Sequence, residues 1–140
     1  MDIINPATGV VISTIKSDTK KTLNSKLETL RKGQKSWIKT AIEDRLICIK
    51  NSFHGRTLAA IYASGSKKMT EGFGPKVTGF DHFEFGNHKS FKRAITKRTA
   101  AIMVEPIMGE GGIKVIPDWC LREIRKICNK RKILLILDEV

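Results

Sequence analysis

The sequence lacks the features of an exported, membrane-spanning or disulfide-stabilised protein. Its purely apolar runs, of which Ile133 to Leu137 is among the longest, fall far short of the roughly 18 residues that a membrane helix needs. Met1 to Pro6 show no basic region followed by an apolar core, so no signal peptide is predicted. Three cysteines, an odd number without a secretory signal, predict reduced core thiols and a cytoplasmic location.

Acidic residues are scarce: 14 Asp and Glu stand against 26 Lys and Arg, which gives a net charge of +12. The excess is +5 over residues 1–50 and +7 over residues 51–140, so it forms no concentrated patch. Helix-turn-helix, zinc-finger and RNA-recognition signatures are absent, and Cys120 and Cys128 do not have zinc-ligand spacing. We therefore predict no metal site, no membrane association and no specific nucleic-acid partner, and keep a basic binding module as a less favoured alternative.

Two apolar segments near the C-terminus both end in carboxylates. Thr99 to Ile107 predicts a buried strand that carries Glu105 near its end, and Ile133 to Val140 predicts a second strand, which delivers Asp138. Pro117-Asp118 begins an amphipathic helix between them. A strand, a helix and a strand in this order predict a parallel βαβ unit, whose ligands bind outside the carboxyl ends of the strands. The sequence therefore predicts an α/β fold with a site at that edge.

The rest of the chain is organised by shorter patterns. The turn-forming cluster Asn5 to Gly9 predicts a hairpin within the first fifteen residues. A helix capped by Ser17 or Asp18 is predicted next, and a further amphipathic segment from Asp44 to Lys50 follows. The apolar stripe of that helix comprises Leu23, Leu27, Leu30, Trp37, Ile38, Ala41 and Ile42. Helices are also predicted over residues 57–64 and around residues 91–95, with a strand and turn within residues 77–85.

Three segments resemble the class III pyridoxal-phosphate aminotransferases in order and spacing, and within them the acetylornithine aminotransferase group. They are Asn51 to Thr57, Val104 to Gly112 and Leu137 to Val140. The resemblance implies that residues 51–140 form part of the large domain of a fold-type I pyridoxal-phosphate transferase. It also implies a pyridoxal 5'-phosphate cofactor, an amino-acid substrate, a homodimer, and amino transfer between N-acetylornithine and 2-oxoglutarate in arginine biosynthesis.

Residues 1–50 resemble a different family. Asn5 to Gly9, Gly33 to Trp37 and Asp44-Arg45 are similar to the N-terminus of an NAD(P)-dependent aldehyde dehydrogenase. The sequence is therefore interpreted as two segments, residues 1–50 and residues 51–140, that meet near Lys50. Two segments of different origin have no reason to share a core, so we expect removal of the first to leave the second folded.

The aminotransferase resemblance assigns roles to particular residues. Asp138 would face the pyridine nitrogen of the cofactor, and Phe53 would stack on its ring. Arg56 would grip a substrate carboxylate, a task suited to the planar guanidinium. Glu110 would pair with a second arginine that this sequence does not contain. Glu105 is expected to support the site from the end of its strand.

Other parts of the family pattern are missing from these 140 residues. No lysine stands where the family forms its Schiff base, and the loop that holds the cofactor phosphate is not recognised, so no catalytic residue is assigned. Met108 replaces the usual glutamine, and His54 is given no catalytic role. Gly109, Gly111 and Gly112 lack the lysine and hydroxyl of a phosphate-binding loop and are expected to serve close packing.

The expected protein is thus a truncated transaminase segment that is inactive alone. A non-catalytic remnant of a fused or decayed gene is the main alternative, and an aldehyde dehydrogenase fragment is a weaker one.

Overall fold

The computed structural model describes residues 2–39 and 44–139. The chain divides into two compact units, Met1–Thr40 and Ala41–Val140. Each unit is described separately below.

The first unit begins with the predicted hairpin. Strands β1 (Asp2–Ile4) and β2 (Val11–Thr14) pair antiparallel. The Asn5 side chain accepts hydrogen bonds from the amides of Ala7 and Thr8, at 2.9 and 3.3 Å, and so closes the turn. Gly9 completes the turn with a φ of +70°, a conformation that glycine adopts without steric cost.

Helix α1 (Lys20–Trp37) follows the hairpin. Its start lies at Thr19 and not at Ser17 or Asp18, because Thr19 and Thr22 exchange hydrogen bonds: each hydroxyl accepts from the other's amide, at 3.2 and 2.8 Å. Leu23 and Leu30 of the predicted stripe are 53% and 70% exposed. The side chain of Trp37 and residues Ala41 and Ile42 lie outside the described part of the chain.

The second unit is an α/β layer structure, as predicted. In chain order it contains β3 (Arg45–Ile49), α2 (Leu58–Ala63), α3 (Lys67–Thr70), β4 (Phe80–Phe83), α4 (His88–Ala94), β5 (Thr99–Val104), β6 (Ile107–Met108), β7 (Lys114–Val115), α5 (Asp118–Arg131) and β8 (Leu134–Leu137). Strands β6 and β7 form a small antiparallel ribbon inside the connection from β5 to α5.

The main sheet has the strand order β4-β3-β5-β8, and all its pairs are parallel. Ala101 to Val104 pair with Leu134 to Leu137, so the predicted βαβ unit is confirmed with its two carboxylate-bearing strands side by side. Because the chain runs from β3 outward to β4 and then back to β5, the connections diverge between β3 and β5. Such a switch point leaves a crevice at the carboxyl ends of these strands.

The boundary between the units differs from the predicted one. It falls between Thr40 and Ala41, whereas residues 1–50 were expected to form the first segment. Residues Arg45–Ile49 are the inner strand β3, which pairs with β4 on one side and β5 on the other. The segment Asp44 to Lys50, which was interpreted as an amphipathic approach to a junction, is therefore part of the second unit. The strand is buried on both faces, since Ile47, Cys48 and Ile49 are at most 2% exposed.

The core of the second unit lies between the sheet and its helices. Ile47, Ile102 and Val104 are completely buried, and Ile124 and Cys128 of α5 pack with them. All three cysteines are free thiols. Cys48 and Cys128 are buried as predicted, whereas Cys120 is only half-buried, and burial raises the pKa of the Cys48 thiol to about 12. Among the described residues, no helix has the length and hydropathy to cross a bilayer.

Candidate functional site

Three loops meet at the carboxyl edge of the sheet. Residues 50–57 follow β3, residues 105–113 surround the β6 turn after β5, and Asp138 follows β8. The Asp138 amide donates a hydrogen bond to the Val104 carbonyl at 3.0 Å, so the pairing of β5 with β8 extends as far as Asp138. Strand register alone therefore brings Asp138 beside the end of β5.

Glu105 joins the first two loops. Its carboxylate accepts a hydrogen bond from the Phe53 amide at 2.8 Å and a longer one from the Gly109 amide at 3.4 Å. The residue is only 9% exposed, so these amides compensate for much of the water that the carboxylate has lost. Glu105 thus holds the Phe53 loop against the end of β5.

His54 joins the first loop to Asp138. Its Nδ1 lies 2.8 Å from Asp138 Oδ2, and its Nε2 lies 2.8 Å from the Ser52 hydroxyl. Ser52 donates its own hydrogen to the Ile49 carbonyl at 2.7 Å, so Nε2 must be the donor to Ser52. The same ring makes its second short polar contact through Nδ1, to Asp138 Oδ2. The chain Ile49–Ser52–His54–Asp138 fixes the orientation of the acid.

The Ser52, His54 and Asp138 contacts resemble the order of a hydrolytic triad, yet their roles are different. A nucleophilic serine needs an accessible oxygen whose proton passes to the histidine. Ser52 is 2% exposed and its hydroxyl donates a hydrogen bond to the Ile49 carbonyl, and the His54 side chain is also 2% exposed. The arrangement therefore positions Asp138 and does not activate Ser52.

The structure places the four predicted binding residues in two groups. Phe53 and Asp138 are half-buried and are held at the same edge by Glu105 and His54. Arg56 and Glu110 are exposed, on the loops that follow β3 and β5. Within residues 2–39 and 44–139, neither an ion pair nor a hydrogen bond connects Arg56 with Glu110.

His54 is the site residue that sequence reasoning missed. The sequence did contain a signal: a histidine lies five residues beyond an apolar strand, and two strands away an acid follows another apolar strand. Recognising their contact required knowing that only β5 separates β3 from β8. That order was not predicted, because the strand character of Arg45–Ile49 was not recognised.

Met108 and the glycines beside it shape the second loop. Met108 is 1% exposed and belongs to the hydrophobic core cluster, so its side chain fills space under the loop. A Cβ atom on Gly111 would lie 2.6 Å from Met108 Cε and 2.9 Å from the Asn51 carbonyl oxygen. Gly109, in contrast, has open space around its Cα. Close packing was the predicted reason for these glycines, and the structure supports it for Gly111.

Loss of the Glu105 carboxylate is expected to destabilise the second unit. Glu105→Ala leaves the Phe53 amide without its acceptor and opens space beneath the loop, at a cost of about 1–3 kcal/mol. Urea unfolding should therefore show a lower midpoint for Glu105→Ala. The matched control is Glu84→Ala, which removes an exposed ion pair with Lys50 and should change stability by about 0–1 kcal/mol. Equal effects of the two changes would contradict the role given to Glu105.

The known proteins that are similar to this chain in sequence are aminotransferases. The sequence model of a family described as aminotransferase class III matches residues 11–140. Acetylornithine aminotransferase of Brucella melitensis is 52% identical over 96 residues, which are 69% of this chain and 24% of that protein. Ornithine aminotransferase of Macrococcus caseolyticus is 40% identical over 119 residues, covering 81% of this chain and 30% of the relative.

A solved structure shows the same likeness. The crystal structure of ornithine aminotransferase from Toxoplasma gondii superimposes with a TM-score of 0.67 and 28% identity, over 81% of this chain and 28% of that one. The chain thus spans about a quarter of the length of the curated relatives it matches. The family match begins at residue 11, so the resemblance extends well beyond the residues 51–140 from which it was inferred. Similarity of residues 1–50 to an aldehyde dehydrogenase stays a prediction.

Proposed function

The chain belongs to the class III aminotransferases, and from this membership we propose that its carboxyl-edge site holds the ring of pyridoxal 5'-phosphate in an acetylornithine- or ornithine-type transaminase. The observation that carries the proposal is the contact between Asp138 Oδ2 and His54 Nδ1 at 2.8 Å. It fixes an acid at the end of β8, where open α/β sheets bind ligands.

The residues present fit the pyridine ring of this cofactor. Asp138 is 27% exposed, and while Oδ2 is held by His54, Oδ1 has no hydrogen-bond partner within the described part of the chain. An oxygen with that freedom can accept a hydrogen bond from a protonated ring nitrogen. Phe53 lies on the neighbouring loop, half-buried, and offers an aromatic face.

Each residue contributes a separate physical task. When bound, the cofactor supplies an electron sink for the carbon that carries the amino group. Asp138 would face the ring nitrogen, and its carboxylate would favour the protonated form of that nitrogen. His54 holds Asp138 in place through the 2.8 Å contact between Nδ1 and Oδ2, while Ser52 and Ile49 fix the imidazole from the other side. Glu105 holds the Phe53 loop through the hydrogen bond from the Phe53 amide.

Substrate recognition is proposed for the two exposed residues. The Arg56 guanidinium can bind the substrate carboxylate as a bidentate pair. Glu110, on the opposite loop, would take part in selecting between the amino donor and the oxo acid. N-acetylornithine and 2-oxoglutarate are the proposed substrate pair, the cytoplasm the proposed location, and a homodimer the proposed assembly.

The 140 residues by themselves are proposed to lack transaminase activity. Lysines after Glu105 are Lys114, Lys126, Lys130 and Lys132, and all precede the strand that delivers Asp138. None stands where the family forms its Schiff base, so covalent catalysis lacks its amine. Reduction with borohydride in the presence of pyridoxal 5'-phosphate should label surface lysines at scattered positions, and N-acetylornithine should be transaminated only at the background rate. A single stoichiometric adduct would overturn this part of the proposal.

Ring binding can be tested without covalent chemistry. Pyridoxamine 5'-phosphate has no aldehyde, so its binding reports the non-covalent site alone. We expect titration to shift the amide signals of Phe53, His54 and Asp138 in heteronuclear NMR spectra. Asp138→Asn should weaken binding about tenfold or more, the effect of losing roughly 1.4 kcal/mol.

The matched control is Asp118→Asn, which changes an exposed acid at the start of α5, away from the three loops. It should leave binding unchanged. The proposal fails if Asp138→Asn binds the ligand as well as the unaltered chain does, or if the shifted signals lie outside the three loops.

A non-catalytic remnant is the second candidate, and one observation favours it. Met108, where the family usually has glutamine, is buried in the core and offers no amide to a ligand. Absence of any pyridoxamine 5'-phosphate binding by a folded chain would support this candidate.

A further inference from the structure

A second concave site lies in the same unit, between α4, α5 and the ends of β3 and β4. It is a cavity of about 350 Å³, at the lower end of the range typical of small-molecule sites. Its walls include Phe83, Phe85, Phe91, Ile116 and Ile124. None of its lining residues belongs to the set Ser52, Phe53, His54, Glu105 and Asp138.

Aromatic rings form much of the inner wall and part of the mouth. Phe83 and Phe91 contact each other with ring centroids 4.9 Å apart. At the mouth, the rings of His88 and Trp119 stack with centroids 5.5 Å apart and planes only 4° from parallel. Trp119 is 53% exposed. A flat apolar molecule that enters the cavity would contact the edges and faces of its phenylalanine rings.

The charges at the mouth favour an anion. Lys92 lines the cavity, and Lys114 lies over the Phe85 ring with its Nζ 5.7 Å from the centroid. The acid that lines the cavity, Glu123, is already engaged, because its Oε1 accepts a hydrogen bond from Lys126 at 2.7 Å. This bond lowers the pKa of Glu123, so the carboxylate stays ionised and Lys126 balances its charge. Lys92 takes part in no ion pair among the described residues.

We propose that this cavity binds a small organic anion with an aromatic or branched apolar body. The apolar body would occupy the space between the phenylalanines, and the anionic group would remain at the mouth beside Lys92. The lining residues of this cavity are distinct from the residues of the proposed cofactor site.

Cys120 provides a direct measure of occupancy. It lines the cavity and is half-buried, whereas Cys48 and Cys128 are 0% exposed. Iodoacetamide should therefore modify Cys120 first in the folded chain, and mass spectrometry would locate the label. With 2-naphthoate as the probe, we expect the alkylation rate of Cys120 to fall in proportion to occupancy, while Cys48 and Cys128 stay unmodified.

Two probes and two matched variants separate charge from shape. 2-Naphthylmethanol has the same apolar body without the charge and should bind less tightly than 2-naphthoate. Lys92→Gln should weaken 2-naphthoate binding about threefold to fivefold, as expected for one partly solvated ion pair, and leave the neutral probe unaffected. Lys89→Gln is the control, since Lys89 lies on α4 without lining the cavity. Isothermal titration calorimetry measures all four combinations.

A blocking variant tests the location of the apolar body. Ile127 is half-buried and lines the cavity, so Ile127→Trp should fill it and abolish binding of both probes. If that variant does not fold, the location of the probe is tested by the alkylation rate of Cys120 in the unaltered chain, with and without 2-naphthoate. The proposal is overturned if 2-naphthoate at millimolar concentration does not protect Cys120, or if Lys89→Gln and Lys92→Gln weaken binding equally. Protection that rises with protein concentration in the absence of probe would also overturn it, in favour of a second copy covering the cavity.

Discussion

Ile47→Asp is expected to abolish the cooperative unfolding transition of the second unit. Ile47 has no exposed surface and lies in β3, between β4 and β5. An aspartate there loses the apolar contacts and buries a carboxylate without a partner, so the cost should exceed about 4 kcal/mol. That is much of the 5–15 kcal/mol that stabilises a typical domain. Circular dichroism and urea titration would show the loss.

The matched control is Ile12→Asp, the same substitution on strand β2, where the side chain is 65% exposed. It should change stability by less than about 0.5 kcal/mol, as is usual for exposed positions. If Ile47→Asp unfolds as cooperatively as the control, β3 is not the inner strand of this sheet.

The same strand corrects an expectation drawn from the sequence. Residues 1–50 were expected to be dispensable for the rest of the chain. Their removal would delete Arg45–Ile49 and leave β4 and β5 without the strand that joins them. We therefore expect that deletion to disrupt the sheet. The interpretation failed because Arg45–Ile49 contains only five residues, and the resemblance to another family assigned them to the preceding segment.

Prediction succeeded where local pattern and long-range structure agree. Strands β5 and β8 are apolar runs of strand length, and α5 has a proline before its first turn, so the βαβ unit was visible in sequence. The hairpin from Asp2 to Thr14 was equally visible from its turn residues. In each case, residues close in sequence determine the element.

The site could be predicted only in part, because some of its contacts join residues that are far apart in the sequence. Glu105 and Asp138 could be placed at one edge because the βαβ unit makes them neighbours. His54 lies 84 residues before Asp138, and their 2.8 Å contact depends on the order of strands in the finished sheet. A motif with fixed sequence spacing cannot predict a contact of this kind. The exposed positions of Arg56 and Glu110 likewise follow from loop conformation, which sequence pattern does not determine.

Substitution of Gly111 is expected to disturb this site from within the second loop. The closest atoms to a new Cβ would be Met108 Cε at 2.6 Å and the Asn51 carbonyl oxygen at 2.9 Å. Met108 is 1% exposed and has little space to retreat, and the Asn51 oxygen belongs to the backbone of the turn that leads to His54. Gly111→Ala must therefore push the two loops apart, at a cost of about 1–3 kcal/mol for overpacking.

The displacement should be visible beyond the loss of stability. In NMR spectra of Gly111→Ala, the amide signals of Ser52, Phe53 and His54 should shift, and binding of pyridoxamine 5'-phosphate should weaken. Gly109→Ala is the matched control in the same loop: nothing lies within 4 Å of its Cβ position, and alanine retains the amide that donates to Glu105. It should leave these signals nearly unchanged and raise stability by about 0.4–1 kcal/mol, because Gly109 has no positive φ that would strain alanine. If the two alanine variants behave alike, the contact between the loops after β3 and β5 does not set the geometry around Asp138.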